Sequence, residues 1–305
     1  MADALRTTGL VKRYGKRRVV DGVSLSVREG EIYGFLGPNG SGKTTTIRMV
    51  LGLISATEGS AELLGRDVAK WGPKSREGVG GFVESPTFYP YMSGYLNLRT
   101  YADLSGGASD GEVFEALRLV GLLGRENDLV RTYSFGMKQR LGIAQALLPQ
   151  PRLLILDEPS LGLDPHGMVE VREMIQRLHR EKGLTILFST HLLAEVQMIC
   201  TRVGILQLGK LLFEGPIDQL VRSGRAWRVK PDRAERAREV LSGLASVSAV
   251  GVEDGFLTFE SDAEAVPDVN RALVEAGVRV FEIGPGAKTL EDVFLKMTKD
   301  APKVL

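Results

Sequence analysis

The sequence predicts an α/β fold with a mostly parallel sheet, a helical insertion, and a smaller α+β domain behind it. Three observations predict it. Short apolar runs alternate with amphipathic stretches through the first two thirds of the chain. A glycine-rich turn joins one such run to the helix that follows. Past residue 225 the elements follow the order βαββαβ, the split βαβ or ferredoxin-like pattern.

Residues 1 to about 30 alternate in short β-like runs, among them "ALRTTGLV" and "VVDGVSLSV". "EIYGFLG" then reads as a buried strand and "KTTTIRMVLGLI" as a helix. From about 87 to 148 the pattern is helical: "GYLNLRTYADL", "GEVFEALRLVGLL" and "MKQRLGIAQALL" form a helical subdomain inserted into the core. The strand "RLLILDEP", the helix "GMVEVREMIQRLHREKG" and the strand "LTILFST" follow. Strands alternating with helices predict a largely parallel sheet with helices on both faces. The composition shifts at Arg222-Ser223-Gly224-Arg225, dividing the chain into residues 1–222 and an accessory domain of residues 225–305. Within the latter, "AWRVKP" reads as strand, "RAERAREVLSGL" as helix, and "VSAVGVED" with "FLTFES" as a hairpin. "VPDVNRALVEAG" is then helix, "VRVFEIG" strand and "TLEDVFLKMT" a last helix. No internal repeat and no low-complexity tract is present.

The composition suits one large and one small globular domain: 305 residues, 43% hydrophobic and 25% charged. A net charge of +1 gives no global attraction for nucleic acid or a charged membrane surface. The single cysteine, Cys200, cannot form an internal disulfide, so the expected home is a reducing cytoplasm, with Cys200 a small buried hydrophobe. The start "MADALRTTGL" lacks the apolar core of a signal peptide, and no apolar run approaches the roughly 18 residues that span a bilayer. A membrane role would therefore come through a partner.

"GPNGSGKT" at 37–44 fits G-x-x-x-x-G-K-[ST] between a predicted strand and helix. Gly37, Gly40 and Gly42 let the backbone fold around a phosphate, with Pro38, Asn39 and Ser41 completing the turn. Lys43 supplies a positive charge to the β- and γ-phosphates, and the Thr44 hydroxyl can ligate Mg²⁺. "LLILDEP" is an apolar strand ending in two carboxylates. Asp157 can hold the magnesium through its water shell, and Glu158 can act on the attacking water as general base. His191 closes "TILFSTH", where it can contact the γ-phosphate or that water; His166 and His179 read as structural. A second anion site stands at "YSFGMKQRLGIAQALL", with Ser134 and Gly136 at the front of a helix. Its plain alternative is an N-capped core helix.

Together these motifs resemble the ATP-binding subunit of an ABC transporter over residues 5–219, nearest in character to bacterial drug and peptide-antibiotic exporters. The resemblance implies a P-loop NTPase (ABC ATPase) core using ATP and Mg²⁺. It makes Tyr14 the aromatic on which adenine stacks and residues 37–45, through Thr45, the Walker A loop. Asp157 and Glu158 become Walker B, Asp164 in "LGLDP" the D-loop aspartate and His191 the switch histidine. Two departures stand out. Glu84 occupies the place of the usual Q-loop glutamine, where its oxygen can still ligate Mg²⁺. The signature, commonly LSGGQ, is here "YSFGM", with Phe135 for a glycine and Met137 for a glutamine. The signature helix of this family binds the γ-phosphate held by another subunit, which answers why one chain carries two anion sites.

The expected function is an ATPase that closes head-to-tail as a dimer, a homodimer or a heterodimer, and powers a separate membrane-spanning permease. It would sit at the cytoplasmic face of the membrane as a peripheral subunit, with no nucleic-acid partner. The alternative is a soluble, non-transport ABC ATPase serving as scaffold or assembly factor. Chromosome-organising relatives carry a long coiled coil where this chain inserts about sixty residues without sustained heptads. Tandem translation-factor relatives need two P-loops, and one is present. The tyrosine-rich segment "TFYPYMSGYLNLRTY", including Phe88 and Tyr91, is the expected docking surface for the membrane subunit.

Overall fold

The computed structural model describes residues 2–286 apart from 218, 220–225 and 254. The helix expected at 289–298 lies outside those residues, as does the boundary region at 222–225. The described residues form two compact units, one running to Gly215 and one beginning at Pro216.

The first unit opens with β1 (Asp3–Tyr14), β2 (Arg17–Val23) and β3 (Ser26–Arg28). Then come β4 (Ile32–Leu36), α1 (Lys43–Val50), β5 (Glu58–Leu63), β6 (Arg66–Asp67), α2 (Val68–Trp71) and β7 (Val79–Phe82). Strand β1 pairs antiparallel with β2, β3 and β5, giving a five-stranded sheet ordered β2-β1-β5-β6 with β3 also on β1. Three helices follow: α3 (Gly94–Leu104), α4 (Asp110–Leu119) and α5 (Phe135–Leu147). Each starts on a serine whose side chain accepts a first-turn N–H: Ser93, Ser109 and Ser134. Ser109 and Glu112 complete a capping box.

The chain returns through β8 (Leu153–Asp157), α6 (Pro165–Lys182), β9 (Thr185–Thr190), α7 (Leu193–Ile199), β10 (Arg202–Gln207) and β11 (Lys210–Pro216). Helix α6 is bounded by local chemistry: Asp164 caps it, Pro165 takes its first position, and Gly183 ends it at φ 64°. The second sheet has the order β11-β10-β4-β9-β8-β7, and from β10 to β7 its neighbours run parallel. The helical insertion lies between β7 and β8, which are neighbours in that sheet.

Both faces of the parallel sheet are buried, so β8 shows no polar alternation; all of Leu153–Asp157 is buried. Its side chains still alternate between two cores. Leu154 and Leu156 join Phe188 and the insertion helices on one face. Leu153 and Ile155 join Leu187, Phe35 and the N-terminal sheet on the other. Helix α1 packs against β1, β2, β5 and β8, so this second face is covered by a helix and a sheet. Cys200 is half-buried against the first core, and burial pushes its thiol up.

The second unit comprises β12 (Ala226–Pro231), α8 (Ala234–Gly243), β13 (Ser248–Glu253), β14 (Phe256–Glu260), α9 (Val266–Glu275) and β15 (Val280–Pro285). Its sheet is antiparallel in the order β13-β14-β12-β15. Val229, Leu257 and Phe259 pack against Ala237, Leu241 and Leu273 of the two helices. This is the ferredoxin-like arrangement expected from βαββαβ.

Candidate functional site

The glycine-rich turn leaves β4 at Leu36 and becomes α1 at Lys43. Gly42 caps α1 with φ 107° and ψ 6°, a conformation that a side chain would strain. Gly37 presses on β10, where an added Cβ would stand 2.3 Å from the Leu206 carbonyl oxygen. Pro38, Asn39 and Gly40 are exposed, while Ser41 is buried, its N–H donating to Pro38 O at 3.1 Å. The Lys43 ammonium folds back to donate to the carbonyls of Gly37 (2.7 Å) and Pro38 (3.3 Å). A cleft of about 310 Å³ opens over Asn39, Gly40, Lys43, Thr44, Thr45 and Glu158. The unpaired N–H groups of α1's first turn lie at its floor, where an anion is favoured.

Pairing in the parallel sheet brings the acids there. Leu36 lies opposite Thr190, and Asp157 lies opposite Ser189, so β4, β9 and β8 end at one level. Ligands bind beyond such carboxyl ends in open α/β sheets. The buried Ser189 hydroxyl donates to Asp157 Oδ1 at 2.6 Å and accepts the Glu158 backbone N–H at 2.9 Å. Glu158 adopts φ 49°, a left-handed turn that aims its carboxylate back over the loop. One oxygen lies 3.0 Å from Lys43 Nζ and the other 2.9 Å from His191 Nδ1. The Lys43 and Glu158 side chains are only 5% and 14% exposed, so the pair is shielded from solvent. A carboxylate held beside a phosphate loop and a histidine can accept a proton from a water attacking there.

Ser134 and Gly136 lie in a different cleft, of about 370 Å³, shared with Phe135, Arg140, Leu163 and Asp164. Here two helix N-termini converge. Ser134 accepts the Met137 N–H at 3.2 Å at the start of α5, and Asp164 accepts the Gly167 N–H at 2.8 Å at the start of α6. The structure thus groups Lys43, Thr44, Asp157, Glu158 and His191, and separately groups Ser134, Gly136 and Asp164.

Two expected residues stand apart from both clefts. Tyr14, at the end of β1, is 52% exposed with the Lys12 ammonium 5.2 Å from its ring centre. Glu84 follows β7 at φ 65° and pairs with Arg48 of α1 at 2.6 Å. His179 contacts the Leu184 carbonyl at 2.9 Å, and His166 is a surface residue 3.8 Å from Glu170. Sequence reasoning missed Ser189, which joins the two acids, and Val19 and Leu161, which wall the phosphate cleft. Ser189 carried a signal: a hydroxyl inside a strand buried on both faces must bond to something specific.

The ABC transporter family profile matches residues 20–161. The chain is 40% identical over 300 residues to the ABC transporter ATP-binding protein YhcH of Bacillus subtilis (strain 168), covering 98% of this chain and 97% of that protein. It is also 40% identical over 299 residues to the bacitracin transport ATP-binding protein BcrA of Bacillus licheniformis, covering 97% and 98%. Among solved structures, the ATP-binding subunit of an ABC transporter is similar at 32% identity and a TM-score of 0.63, over 72% of this chain and 92% of that one. By its phosphate loop, its paired acids and this whole-length likeness, the chain belongs to the ATP-binding subunits of ABC transporters, which bind and hydrolyse ATP to power transport.

Proposed function

We propose that Glu158 is the general base of hydrolysis, with His191 orienting it and Lys43 drawing the β- and γ-phosphates into the loop of Gly37, Pro38, Asn39, Gly40, Ser41 and Gly42. The observation that carries this is the line Lys43–Glu158–His191 across the phosphate cleft, at 3.0 and 2.9 Å. Thr45 adds a wall hydroxyl, and Tyr14 is the residue on which adenine stacks. Mg²⁺ fits the donor set, because a hydroxyl and a buried carboxylate, Thr44 and Asp157, suit a cation otherwise ligated by phosphate oxygens and water. Bound there, it would neutralise charge on the phosphates. Glu84 joins that set only by leaving Arg48. Changing Glu158→Gln keeps the shape and removes the base. Hydrolysis should fall by about 10² or more, with nucleotide still bound. Unchanged turnover overturns the assignment.

The signature cleft completes a site on a second ATPase subunit, in a head-to-tail dimer. Ser134 and Gly136 lie outside the lining of this chain's own phosphate cleft, which supports that reading. One chain carries both halves, which favours a homodimer. The whole-length likeness to a bacitracin transport protein favours an exporter of drug or peptide-antibiotic type over a soluble scaffold. Among the described residues no helix is long and apolar enough to cross a membrane. The likeness to transport ATP-binding proteins supports our reading of the chain as a peripheral subunit at the cytoplasmic face, bound to a separate permease. Its nucleotide-binding domain spans residues 1–222, with the helical subdomain at about 87–148, and its accessory domain spans 225–305.

The docking segment divides in the structure. Phe88, Tyr95 and Tyr101 pack against the core of the insertion, and Tyr95 stacks on Phe114 at 5.2 Å between centres. Tyr89 and Tyr91 are 62% and 80% exposed. We propose the permease contact for these two and withdraw Phe88, whose ring is already engaged.

A further inference from the structure

Phe135 stands where the commoner signature has glycine, and its ring has a specific neighbour. It lies against Gly162, where the position of an added Cβ would be 3.2 Å from Phe135 Cε1 and 3.5 Å from Cζ. Gly162, at φ 79°, offers bare backbone to the ring. On the adjoining side, a Cβ at Gly136 would stand 3.5 Å from Leu163 Cδ2. The front of α5 is thus seated on Gly162 and Leu163.

Those two residues belong to a segment that touches both clefts. Glu158 and Leu161 line the phosphate cleft, while Gly162, Leu163 and Asp164 line the signature cleft. Two backbone bonds hold it in consecutive turns, Leu161 N–H to Glu158 O at 3.0 Å and Leu163 N–H to Ser160 O at 3.2 Å. A displacement at Gly162 therefore reaches Glu158 at one end and the Asp164 cap at the other. Phe135 is outside the phosphate cleft lining.

We propose that Phe135 is a positioning residue: its ring on Gly162 sets the spacing between the Ser134–Gly136 cleft and the segment 158–164, and so the alignment of Glu158. This rests on the reading that the signature cleft takes part in hydrolysis. The ring is 46% exposed, so removing it should unsettle alignment more than folding.

The test compares Phe135→Gly, Phe135→Leu and Ser134→Arg in the full chain. The measurements are thermal midpoint, affinity for a fluorescent ATP analogue, and kcat and KM for hydrolysis. Phe135→Gly should fold and bind the analogue as the parent does, while kcat falls on the order of 10- to 100-fold, the scale of an ångström-sized misplacement. Phe135→Leu, which keeps an apolar contact on Gly162, should recover most of that loss. Parent-like kcat in Phe135→Gly, or an equal loss in both Phe135 variants, overturns the positioning role. So does a loss that matches a fall in analogue affinity. If Ser134→Arg keeps full turnover, the catalytic reading of the signature cleft falls, and this proposal falls with it. If Ser134→Arg is inactive and Phe135→Gly is parent-like, only the role of Phe135 fails.

Discussion

Ser189→Ala removes one hydroxyl and two bonds. The bond to Asp157 Oδ1, at 2.6 Å, goes to a carboxylate that is only 2% exposed; such bonds contribute about 1.5–3 kcal/mol. The bond from the Glu158 N–H, at 2.9 Å, leaves a donor that costs about 1–3 kcal/mol if stranded. Glu158 lies at a cleft wall, so water recovers part of the second cost. A net loss of about 3 kcal/mol is expected, a large share of the roughly 5–15 kcal/mol that holds a domain together. For a unit of this size that lowers the thermal midpoint by about 6–12 °C. Turnover should suffer separately. The Glu158 backbone sits at φ 49°, and the Ser189 hydroxyl is the side-chain group that holds its N–H there. Released, the carboxylate drifts from Lys43 and His191, and a shift of about 1 Å costs on the order of 10²-fold. Thermal unfolding and steady-state hydrolysis at saturating ATP measure the two effects. A variant that melts within about 2 °C of the parent and turns over at full rate would refute the reasoning.

Lys43→Ala should weaken nucleotide binding itself, because it removes the cation from the phosphate loop; equilibrium binding measures this, and unchanged affinity contradicts the assignment. Lys43→Ala mixed with Ser134→Arg should recover activity that neither has alone, since one head-to-tail dimer then holds one intact site; no recovery in a mixture shown to dimerise argues against the composite site. Tyr89 and Tyr91 changed together to Ala should leave stability and basal hydrolysis intact while co-purification with the permease is lost. Phe88→Ala should instead destabilise, by less than the about 3–5 kcal/mol of a fully buried ring.

Much of the phosphate site was legible because it is local. Glycine spacing, a lysine at the helix start and the apolar strand before the turn act over about a dozen residues, and the turn forms as that pattern requires. Helix α3 begins and ends with the periodic segment "GYLNLRTYADL", and β12 coincides with "AWRVKP". Strand β7, "VGGF", was illegible, since two glycines oppose a strand by propensity. They are there because neighbours pack close: a Cβ on Gly80 would stand 1.9 Å from the Ala146 carbonyl oxygen of α5, and one on Gly81 would stand 2.2 Å from the Ile155 carbonyl oxygen of β8. The Phe88 contact was equally hidden, because exposed and buried aromatics look alike in a string.

By itself the sequence determined which groups the chain carries: a glycine-rich phosphate-loop motif, two acids at a strand end, a histidine closing another strand, and a serine and glycine at the front of a second helix. Only the tertiary structure decided how these meet. The parallel register sets Ser189 opposite Asp157 across 32 residues of chain, and the strand order stands β8 and β4 on either side of β9. It turned Glu84 toward Arg48, left Tyr14 outside the cleft lining, and set Phe135 on Gly162. The reason is range. Backbone preference and hydrophobic period act over a few residues, whereas strand order and close packing arise from contacts between segments far apart in the chain, where a difference of an ångström selects one partner over another.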